Sequence, residues 1–277
     1  MSKCLRPAKP FLKWVGGKRQ LSSALLAALD RLPSWGAYHE PFVGGGALFF
    51  ALRSAGHARK SYLSDINATL IDTYIALRDN TGAVIDALSK HQDQHCEAYF
   101  YELRQVHPET REGRAARLIY LNKTCYNGLY RENSKGVFNT PFGRYKNPRI
   151  LDTETLRKAA NALKGVRIAR RPFRTVVRYA KAHDLVYFDP PYIPVSETAD
   201  FTAYSARGFD MRAQEELAEL AGALHARGVY VMASNSMTPA TRSLYRDFDV
   251  QGVRALRAIN SNAKRRGPVA EALITNF

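Results

Sequence analysis

The 277-residue sequence is poor in acidic residues: 25 Asp and Glu stand against 41 Lys and Arg, a formal net charge of +16. An excess of this size favours a polyanionic partner, namely DNA, RNA or an acidic membrane surface. No apolar run approaches the roughly 18 residues of a membrane-spanning helix, and residues 1–14 lack the apolar stretch of a secretory signal. We therefore expect an intracellular, cytoplasmic protein without a membrane segment.

Cysteine is equally scarce, with three residues and no Cys-x-x-Cys pair, and the seven histidines include no His-Glu-x-x-His motif. A disulfide framework and a zinc site are therefore not expected, and we predict chemistry without a metal. The sequence also lacks the Gly-x-Gly-x-x-Gly dinucleotide fingerprint and the Gly-Lys-Ser/Thr of a P-loop. These absences exclude the commonest nucleotide-binding signatures.

The apolar pattern is that of an ordinary globular protein, with 45% hydrophobic and 24% charged residues. Short apolar runs typical of strands alternate with segments whose apolar residues recur at helical spacing. This alternation predicts an α/β fold with a largely parallel sheet covered on both faces. Asp210 and Thr238 are expected to cap helices. The expected strands are 38–43, 60–64, 184–188 and 229–233, followed by an antiparallel hairpin of 248–257 and 269–277.

Residues 67–149 break this alternation with three or four consecutive helical patterns. The stretch 126–146 is rich in Gly, Asn and aromatic residues, which predicts a hairpin with its tip near residues 133–136. Residues 101–150 contain ten Lys and Arg against four Asp and Glu. The basic charge is therefore clustered in what we interpret as a helical insertion in the α/β core.

The most informative motif is Asp189-Pro190-Pro191-Tyr192, which follows the apolar run 184–188. Ligands of open parallel sheets bind at the carboxyl ends of the strands. If Asp189 and the Pro190 carbonyl accept both hydrogens of an exocyclic amino group, its nitrogen lone pair becomes available for methylation. Tyr192 then offers a ring on which an extruded base stacks. The motif alone fits equally well a strand-to-loop turn with a capping Asp and a core Tyr.

A second motif, Glu40-Pro41-Phe42-Val43-Gly44-Gly45-Gly46, predicts a strand that runs into a glycine turn and a helix. Glycines let a ligand approach the backbone closely. Asp65 ends the next predicted strand, where an acid holds ribose hydroxyls. The triple glycine by itself is also typical of a tight turn.

Two further segments combine basic and aromatic residues. In the first, 11–18, Trp14 offers a face for a cofactor sulfonium or adenine and Lys18 a counter-ion for its carboxylate, although a frayed arm before a helix is the commoner reading. In the second, 126–146, Arg131 is suited to bidentate contacts with guanine, while Asn127 and neighbouring lysines and arginines suit phosphates. The alternative there is a solvated basic hairpin.

Taken in order, KWVGGK, EPFVGGG, SDIN, YNGLYR, PFGRYK and DPPY resemble the DNA adenine methylase (Dam) family of AdoMet-dependent N6-adenine methyltransferases. The resemblance runs from about Phe11 to Phe277, and residues 198–204 and 258–268 are similar to the active-site loop and the basic loop of the family. It implies a Rossmann-like methyltransferase sheet that ends in an antiparallel hairpin. Residues 1–66 with 151–277 are then a discontinuous catalytic AdoMet-binding domain, and 67–150 a helical and β-hairpin target-recognition domain.

The resemblance also implies the functional residues. AdoMet would be bound by Trp14, Lys18, Phe42, Gly44, Asp65 and Asp189, and the flipped adenine by Asp189, Pro190 and Tyr192. Lys13 and Arg131 would read guanines, Tyr126 and Asn127 would lie at the DNA backbone or in the gap left by the base, and Tyr145 would also contact DNA. The implied substrate is double-stranded DNA methylated within GATC. We expect an enzyme that is monomeric in solution and resides at the nucleoid, and the sequence leaves open whether a second protomer joins it on DNA.

The chain departs from the family at Thr124-Cys125, where a Tyr-Gly is usual, and at the hairpin tip 132–136. Neither position belongs to the methylation motifs, so both bear on flanking preference and processivity. A bound sulfonium is already an activated electrophile, so Asp189 is expected to orient the amine as a hydrogen-bond acceptor and not to act as a general base.

Two other functions fit part of the sequence. An amino-methylating enzyme for RNA or a protein glutamine usually has Asn in place of Asp189 and no helical insertion. A DNA-binding regulator on an inactive scaffold has no reason to retain the methylation and cofactor motifs together. A simple measurement of AdoMet binding distinguishes an active methyltransferase from such a regulator.

Overall fold

The computed structural model describes residues 7–14, 22–32, 34–58, 60–133, 137–194, 209–256 and 268–277. The chain divides into two compact units. The first comprises 1–18, 44–57 and 67–170, and the second comprises 19–43, 58–66 and 171–277. The predicted division into a catalytic and a target-recognition domain is a functional one and stays a prediction.

The second unit contains the sheet on which the candidate site is built. Its strands are β1 (Tyr38–Glu40), β2 (Ser61–Asp65), β4 (Leu185–Phe188), β5 (Tyr230–Ser236), β6 (Asp249–Leu256) and β7 (Pro268–Thr275), and its helices are α1 (Ser22–Leu29), α8 (Met211–Ala226) and α9 (Pro239–Leu244). Within this unit the strand order is β2-β1-β4-β5-β7-β6. The first four strands pair in parallel, whereas β7 is antiparallel to both β5 and β6.

The core of this unit lies between β4, β5, β7 and helix α8. All four residues of β4 are buried, as expected for a central parallel strand. Leu217, Ala221 and Leu224 recur at helical spacing on α8 and lie in the same apolar cluster as β4 and β5. The α/β fold and the closing antiparallel hairpin, predicted from the sequence, are confirmed.

Strand ends differ from the prediction for physical reasons. β1 stops at Glu40, not at residue 43, because Pro41 has no N–H to donate to a ladder. β5 extends past residue 233 to Ser236, because its polar last residues still pair with β7. Asp210 caps α8 by accepting from the Ala213 N–H, as predicted.

The first unit is mainly helical. Its elements are α2 (Ala47–Ser54), α3 (Ala68–Asp79), α4 (Thr81–Asp93), α5 (Glu97–Gln105), α6 (Arg111–Thr124), a 3₁₀ turn (Tyr126–Gly128), α7 (Thr153–Leu163) and β3 (Arg167–Arg170). The four helices α3 to α6 confirm the helical patterns between residues 67 and 125. Helix α6 is central, since seven consecutive residues from Ala115 to Leu121 are buried.

Helix α7 was not predicted, although it carries a readable start signal. Asp152 accepts from the Thr155 N–H at 3.1 Å, and Leu156, Ala159 and Leu163 form its buried face. Within the described ranges, every helix is too short or too polar to pass through a lipid bilayer.

Candidate active site

Two carboxylates predicted as site residues lie at one edge of the sheet in the second unit. β1 and β2 run in parallel with Glu40 opposite Leu63, and β4 runs parallel to β1. Asp65 is therefore the last residue of β2 and Asp189 the first residue after β4, both at the carboxyl edge. This is the edge at which open parallel sheets bind ligands.

The segment after β4 is held by a tyrosine–glutamate contact. Tyr192 donates its hydroxyl hydrogen to Glu271 Oε2 on β7 at 2.8 Å. Burial, and then the negative charge of Asp189, raises the pKa of Tyr192 well above its usual value. The hydroxyl is therefore a permanent donor at neutral pH, and the ring of Tyr192 is fixed at its far end.

Glu271 and Glu40 are buried or half-buried acids at this edge that the sequence analysis did not assign. Tyr38 donates to Glu40 Oε2 at 2.9 Å, and burial, followed by the charge of Glu40, raises the pKa of Tyr38 well above its usual value. The sequence signal for Glu271 is a single acid within the otherwise apolar run of β7. Acids so placed are rare without a structural or chemical role.

Phe42, predicted to bind the cofactor, belongs to an aromatic cluster in the second unit. Its ring centroid lies 5.3 Å from Phe173, 5.6 Å from Phe209 and 6.4 Å from Phe188. These contacts show that Phe42, just after β1, packs against the end of β4, the 3₁₀ helix Phe173–Arg178 and the segment before α8. Its contact with a cofactor stays a prediction.

Ile66 is a site candidate that the sequence analysis missed. It directly follows Asp65, and 63% of its surface is exposed, the largest fraction among the exposed large apolar residues of the described chain. An exposed apolar side chain beside a carboxylate at a ligand-binding edge suits a ligand with both an apolar and a hydroxyl-bearing part.

In the first unit, the glycine turn before α2 is packed against Trp14. A Cβ on Gly44 would meet Trp14 Cδ1 at 2.8 Å, and one on Gly45 would meet Trp14 Cβ at 3.0 Å. Gly44 and Gly46 have φ of +45° and +66°, which favour glycine. The absence of a Cβ on Gly44 and Gly45 therefore allows the Trp14 side chain to pack against the turn. The approach of a ligand to these glycines stays a prediction.

Trp14 also stacks on Tyr130, with ring centroids 5.3 Å apart and planes inclined by 24°. The indole thus packs against both the glycine turn and the start of the hairpin. Lys18, predicted as a counter-ion for the cofactor, lies outside the described residues, as do the loops 198–204 and 258–267.

Lys13 is fastened to helix α6 by one asparagine. Asn122 Oδ1 accepts from the Lys13 N–H at 2.7 Å, and its Nδ2 donates to the carbonyls of Lys13 at 2.7 Å and Gly128 at 3.0 Å. The Lys13 ammonium lies 4.5 Å from the ring centroid of Tyr145. Four of the predicted DNA contacts therefore lie close together: Lys13, Tyr145, and Tyr126 and Asn127 on the turn.

That turn exposes both of its predicted contact residues. Tyr126 is 51% exposed, and Asn127 is exposed with a φ of +54°, a left-handed conformation that asparagine tolerates better than most residues. The Tyr126 N–H donates to the Pro141 carbonyl at 2.8 Å, which closes the turn against the returning strand.

Arg131 lies on the hairpin that follows this turn. Its Nε donates to Asn139 Oδ1 at 2.8 Å, and the Asn139 N–H donates to the Arg131 carbonyl at 2.9 Å. The guanidinium is exposed and is held across the hairpin by Asn139, and its contact with a base stays a prediction.

Residues 14–259 match the D12 class N6 adenine-specific DNA methyltransferases. This chain belongs to that family. The Type II methyltransferase M1.LlaDCHI of Lactococcus lactis subsp. cremoris is 38% identical over 277 residues, which covers 97% of this chain and 95% of the relative. The DNA adenine methylase of Escherichia coli (strain K12) is 34% identical over 273 residues, which covers 97% and 95%.

Among solved structures, TrmN from Thermus thermophilus is similar at a TM-score of 0.38 with 14% identity, covering 92% of this chain and 47% of that chain. The family match and the relatives confirm the resemblance to DNA adenine methylases. The chain is accordingly an AdoMet-dependent, adenine-specific DNA methyltransferase of the D12 class.

Proposed function

We propose that this D12 methyltransferase methylates N6 of an adenine that is flipped out of double-stranded DNA, within the sequence GATC. The observation that carries the proposal is the Asp-Pro-Pro-Tyr segment at the carboxyl edge of the sheet, with the Tyr192 hydroxyl fixed by Glu271. Inside a duplex, one N6 hydrogen of adenine is paired with thymine and the face of the base is stacked on its neighbours. The base therefore has to leave the stack to offer both hydrogens and its face to such a segment.

Asp189 and the Pro190 carbonyl accept the two N6 hydrogens in this proposal. Accepting both hydrogens draws the nitrogen lone pair out of conjugation with the ring and makes the amine nucleophilic. Tyr192 stacks on the base, and the hydrogen bond from its hydroxyl to Glu271 holds the far end of the ring in place. The amine loses its proton readily once it has been methylated, so Asp189 needs only to orient it.

The residues fit AdoMet as methyl donor. Asp65 at the end of β2 suits ribose hydroxyls, and the exposed Ile66 suits an adenine face. Trp14, Lys18, Phe42 and Gly44 complete the proposed cofactor contacts. When bound, AdoMet supplies a methyl group on a positively charged sulfur, and the proposal includes no metal.

Lys13 and Arg131 are proposed to read guanines. Both are exposed in the first unit, and both are held by asparagine: Lys13 by its backbone and Arg131 by its side chain. Tyr126 and Asn127 are proposed to lie at the DNA backbone or in the gap left by the flipped base. We also propose that the enzyme is monomeric in solution, acts in the cytoplasm and associates with the nucleoid.

The direct test is transfer of labelled methyl groups to matched duplexes, one with a single GATC and others with its bases permuted. The proposal predicts label on the GATC duplex alone, recovered as N6-methyladenine. Label on every duplex, or only on a permuted one, would remove GATC from the proposal. AdoMet binding with no label on any DNA would favour the RNA and protein substrates.

Arg131→Ala tests the reading of one base. Loss of a bidentate contact to guanine costs about 1–3 kcal/mol in discrimination at that base pair. The control is Arg149→Ala, which removes another exposed cation of the same unit, paired with Asp152 at 3.2 Å. Equal affinity loss across all sequences in Arg131→Ala would show a phosphate contact instead.

A further inference from the structure

Two buried carboxamides hold the backbone on both sides of Tyr192. Gln214 on α8 donates from Nε2 to the Pro191 carbonyl at 2.7 Å, and Asn235 on β5 accepts from the Ile193 N–H through Oδ1 at 2.9 Å. The two side chains are joined to each other, since Asn235 Nδ2 donates to Gln214 Oε1 at 3.0 Å.

The direction of each hydrogen bond is determined by the backbone groups at the two ends. A carbonyl can only accept, so Gln214 must present its nitrogen to Pro191 and its oxygen to Asn235. Asn235 must then present its nitrogen to Gln214, which leaves its oxygen for the Ile193 N–H. Any other orientation of either amide would oppose two donors or two acceptors.

Burial makes this set of contacts demanding. Gln214 is 2% exposed and Asn235 is fully buried, so an unmade hydrogen bond here has no water to replace it. Asn235 Oδ1 also accepts from the Ser236 N–H at 2.8 Å. The pair therefore specifies one backbone position for the residues that flank Tyr192, while Glu271 fixes the ring of Tyr192 at its hydroxyl.

We infer that Gln214 and Asn235 are positioning residues for methyl transfer: they place the Tyr192 ring and the Pro190–Pro191 backbone against the target adenine. The inference rests on the proposed function of this segment and names residues that the methylation motifs do not contain. Neither amide touches the base, and both act through the backbone of the segment.

Asn276 provides a matched control in the same unit. Its Oδ1 accepts from the Val231 N–H and its Nδ2 donates to the Val229 carbonyl, both at 2.8 Å, at the beginning of β5. Asn276→Ala therefore removes a comparable amide bridge to backbone at the opposite end of the strand. It is expected to lower the unfolding midpoint without changing the rate of transfer.

The test is single-turnover methyl transfer by Gln214→Met and Asn235→Asp. Methionine keeps the length of Gln214 without its polar atoms, and aspartate keeps the acceptor of Asn235 while losing the donor. Misplacement of reacting groups by about 1 Å costs about 100-fold in rate, so we expect losses of that order with unchanged AdoMet dissociation constant and DNA KM. The inference would be overturned if the folded variants transferred methyl groups at the wild-type rate. It would also be overturned if their activity fell only in proportion to the unfolded fraction, which is the result expected for Asn276→Ala.

Gln214→Glu adds a readout that a purely structural role would not move. The acid form of the new side chain can donate to the Pro191 carbonyl, whereas the carboxylate cannot. Its transfer rate relative to the wild type should therefore rise as pH falls, and a ratio independent of pH would contradict the inference.

The ratio of variant to wild-type rate can be measured on whichever adenine duplex the wild type methylates. A wild-type enzyme that shows no preference for GATC would therefore overturn the target assignment, but the rate ratios of the variants would still test the positioning role of Gln214 and Asn235. Methyl transfer by the wild type to a group other than adenine N6 would overturn the proposed function itself.

Discussion

Strand β4 has an aspartate at each end, and the two occupy opposite chemical settings. Asp184, before the strand, is buried and accepts from the Ala37 N–H at 2.8 Å, the Lys181 N–H at 3.0 Å and His39 Nε2 at 2.9 Å. Asp189, after the strand, is half-buried and is followed by two prolines. The same side chain thus stabilises the chain at one edge and, in the proposed function, contacts the substrate at the other.

The two prolines bear on this difference. Neither Pro190 nor Pro191 has an N–H, so the two residues that follow Asp189 donate no backbone hydrogen bond to its carboxylate. Asp152 and Asp210, by contrast, start helices and accept from the N–H three residues further on, at Thr155 and Ala213.

Asp189→Ala tests the chemical end of the comparison and has the largest expected effect. Turnover should be abolished, while affinity for DNA, which depends mainly on phosphate contacts, and the free energy of unfolding should change little. The measurements are single-turnover methyl transfer, salt-dependent DNA binding and chemical denaturation. Loss of binding and stability together with turnover would show that Asp189 stabilises the fold, as Asp184 does.

Asp184→Ala tests the structural end. Removing the carboxylate leaves two backbone N–H groups and His39 without their acceptor, and we expect a loss of about 3 kcal/mol in the free energy of unfolding. The folded fraction should transfer methyl groups at the wild-type rate. Thermal denaturation followed by activity at a temperature where the variant is folded measures both. A rate loss with wild-type stability would reverse the two roles.

The pH dependence of stability gives a smaller effect at the same edge. Burial lowers the pKa of His39 by more than Asp184 raises it. Among the described residues, the buried His39 Nδ1 has no hydrogen-bond partner, so a proton there is poorly accommodated. Burial raises the pKa of Asp184, but hydrogen bonds from the Ala37 N–H, His39 and the Lys181 N–H together leave it below its usual value.

Both shifts have the same sign for stability. The unfolded chain takes up a proton at His39 near pH 6.5 and at Asp184 near pH 3.8, before the folded protein does. The free energy of unfolding should therefore fall as pH falls through these two windows, by at most about 1.4 kcal/mol per pH unit for each group. Burial also lowers the pKa values of His91 and His95, which contribute to the upper window with the same sign. His39→Gln, measured by denaturation from pH 8 to pH 5, should therefore reduce the fall in stability across this window without abolishing it. An unchanged fall would assign the window to His91 and His95.

Sequence patterns predicted the features that depend on local backbone structure and on contiguous motifs. The buried run of β4, the caps at Asp210 and Thr238 and the four helices of the insertion follow from local periodicity and local hydrogen bonding. The family was recognisable because six short motifs occur in one order. Functional residues that are contiguous in the sequence can be recognised in this way.

Contacts between distant residues were not predictable. Asn235 lies where β5 turns polar, so the sequence suggested that the strand had ended, whereas the antiparallel pairing with β7 continues it. Gln214 is a single polar residue near the start of an amphipathic helix, and Glu271 is a single acid in an apolar strand. Their importance arises only when α8, β5 and β7 bring them to the segment around Tyr192.

The central claim is that Asp189 orients the adenine amine as a hydrogen-bond acceptor. Asp189→Asn tests it most directly, because the asparagine oxygen still accepts a hydrogen bond from N6 but cannot serve as a base. Single-turnover transfer to one duplex should be slower in Asp189→Asn than in the wild type and clearly faster than in Asp189→Ala. Equal inactivity of the two variants, with AdoMet and DNA still bound, would contradict the claim and make Asp189 a general base.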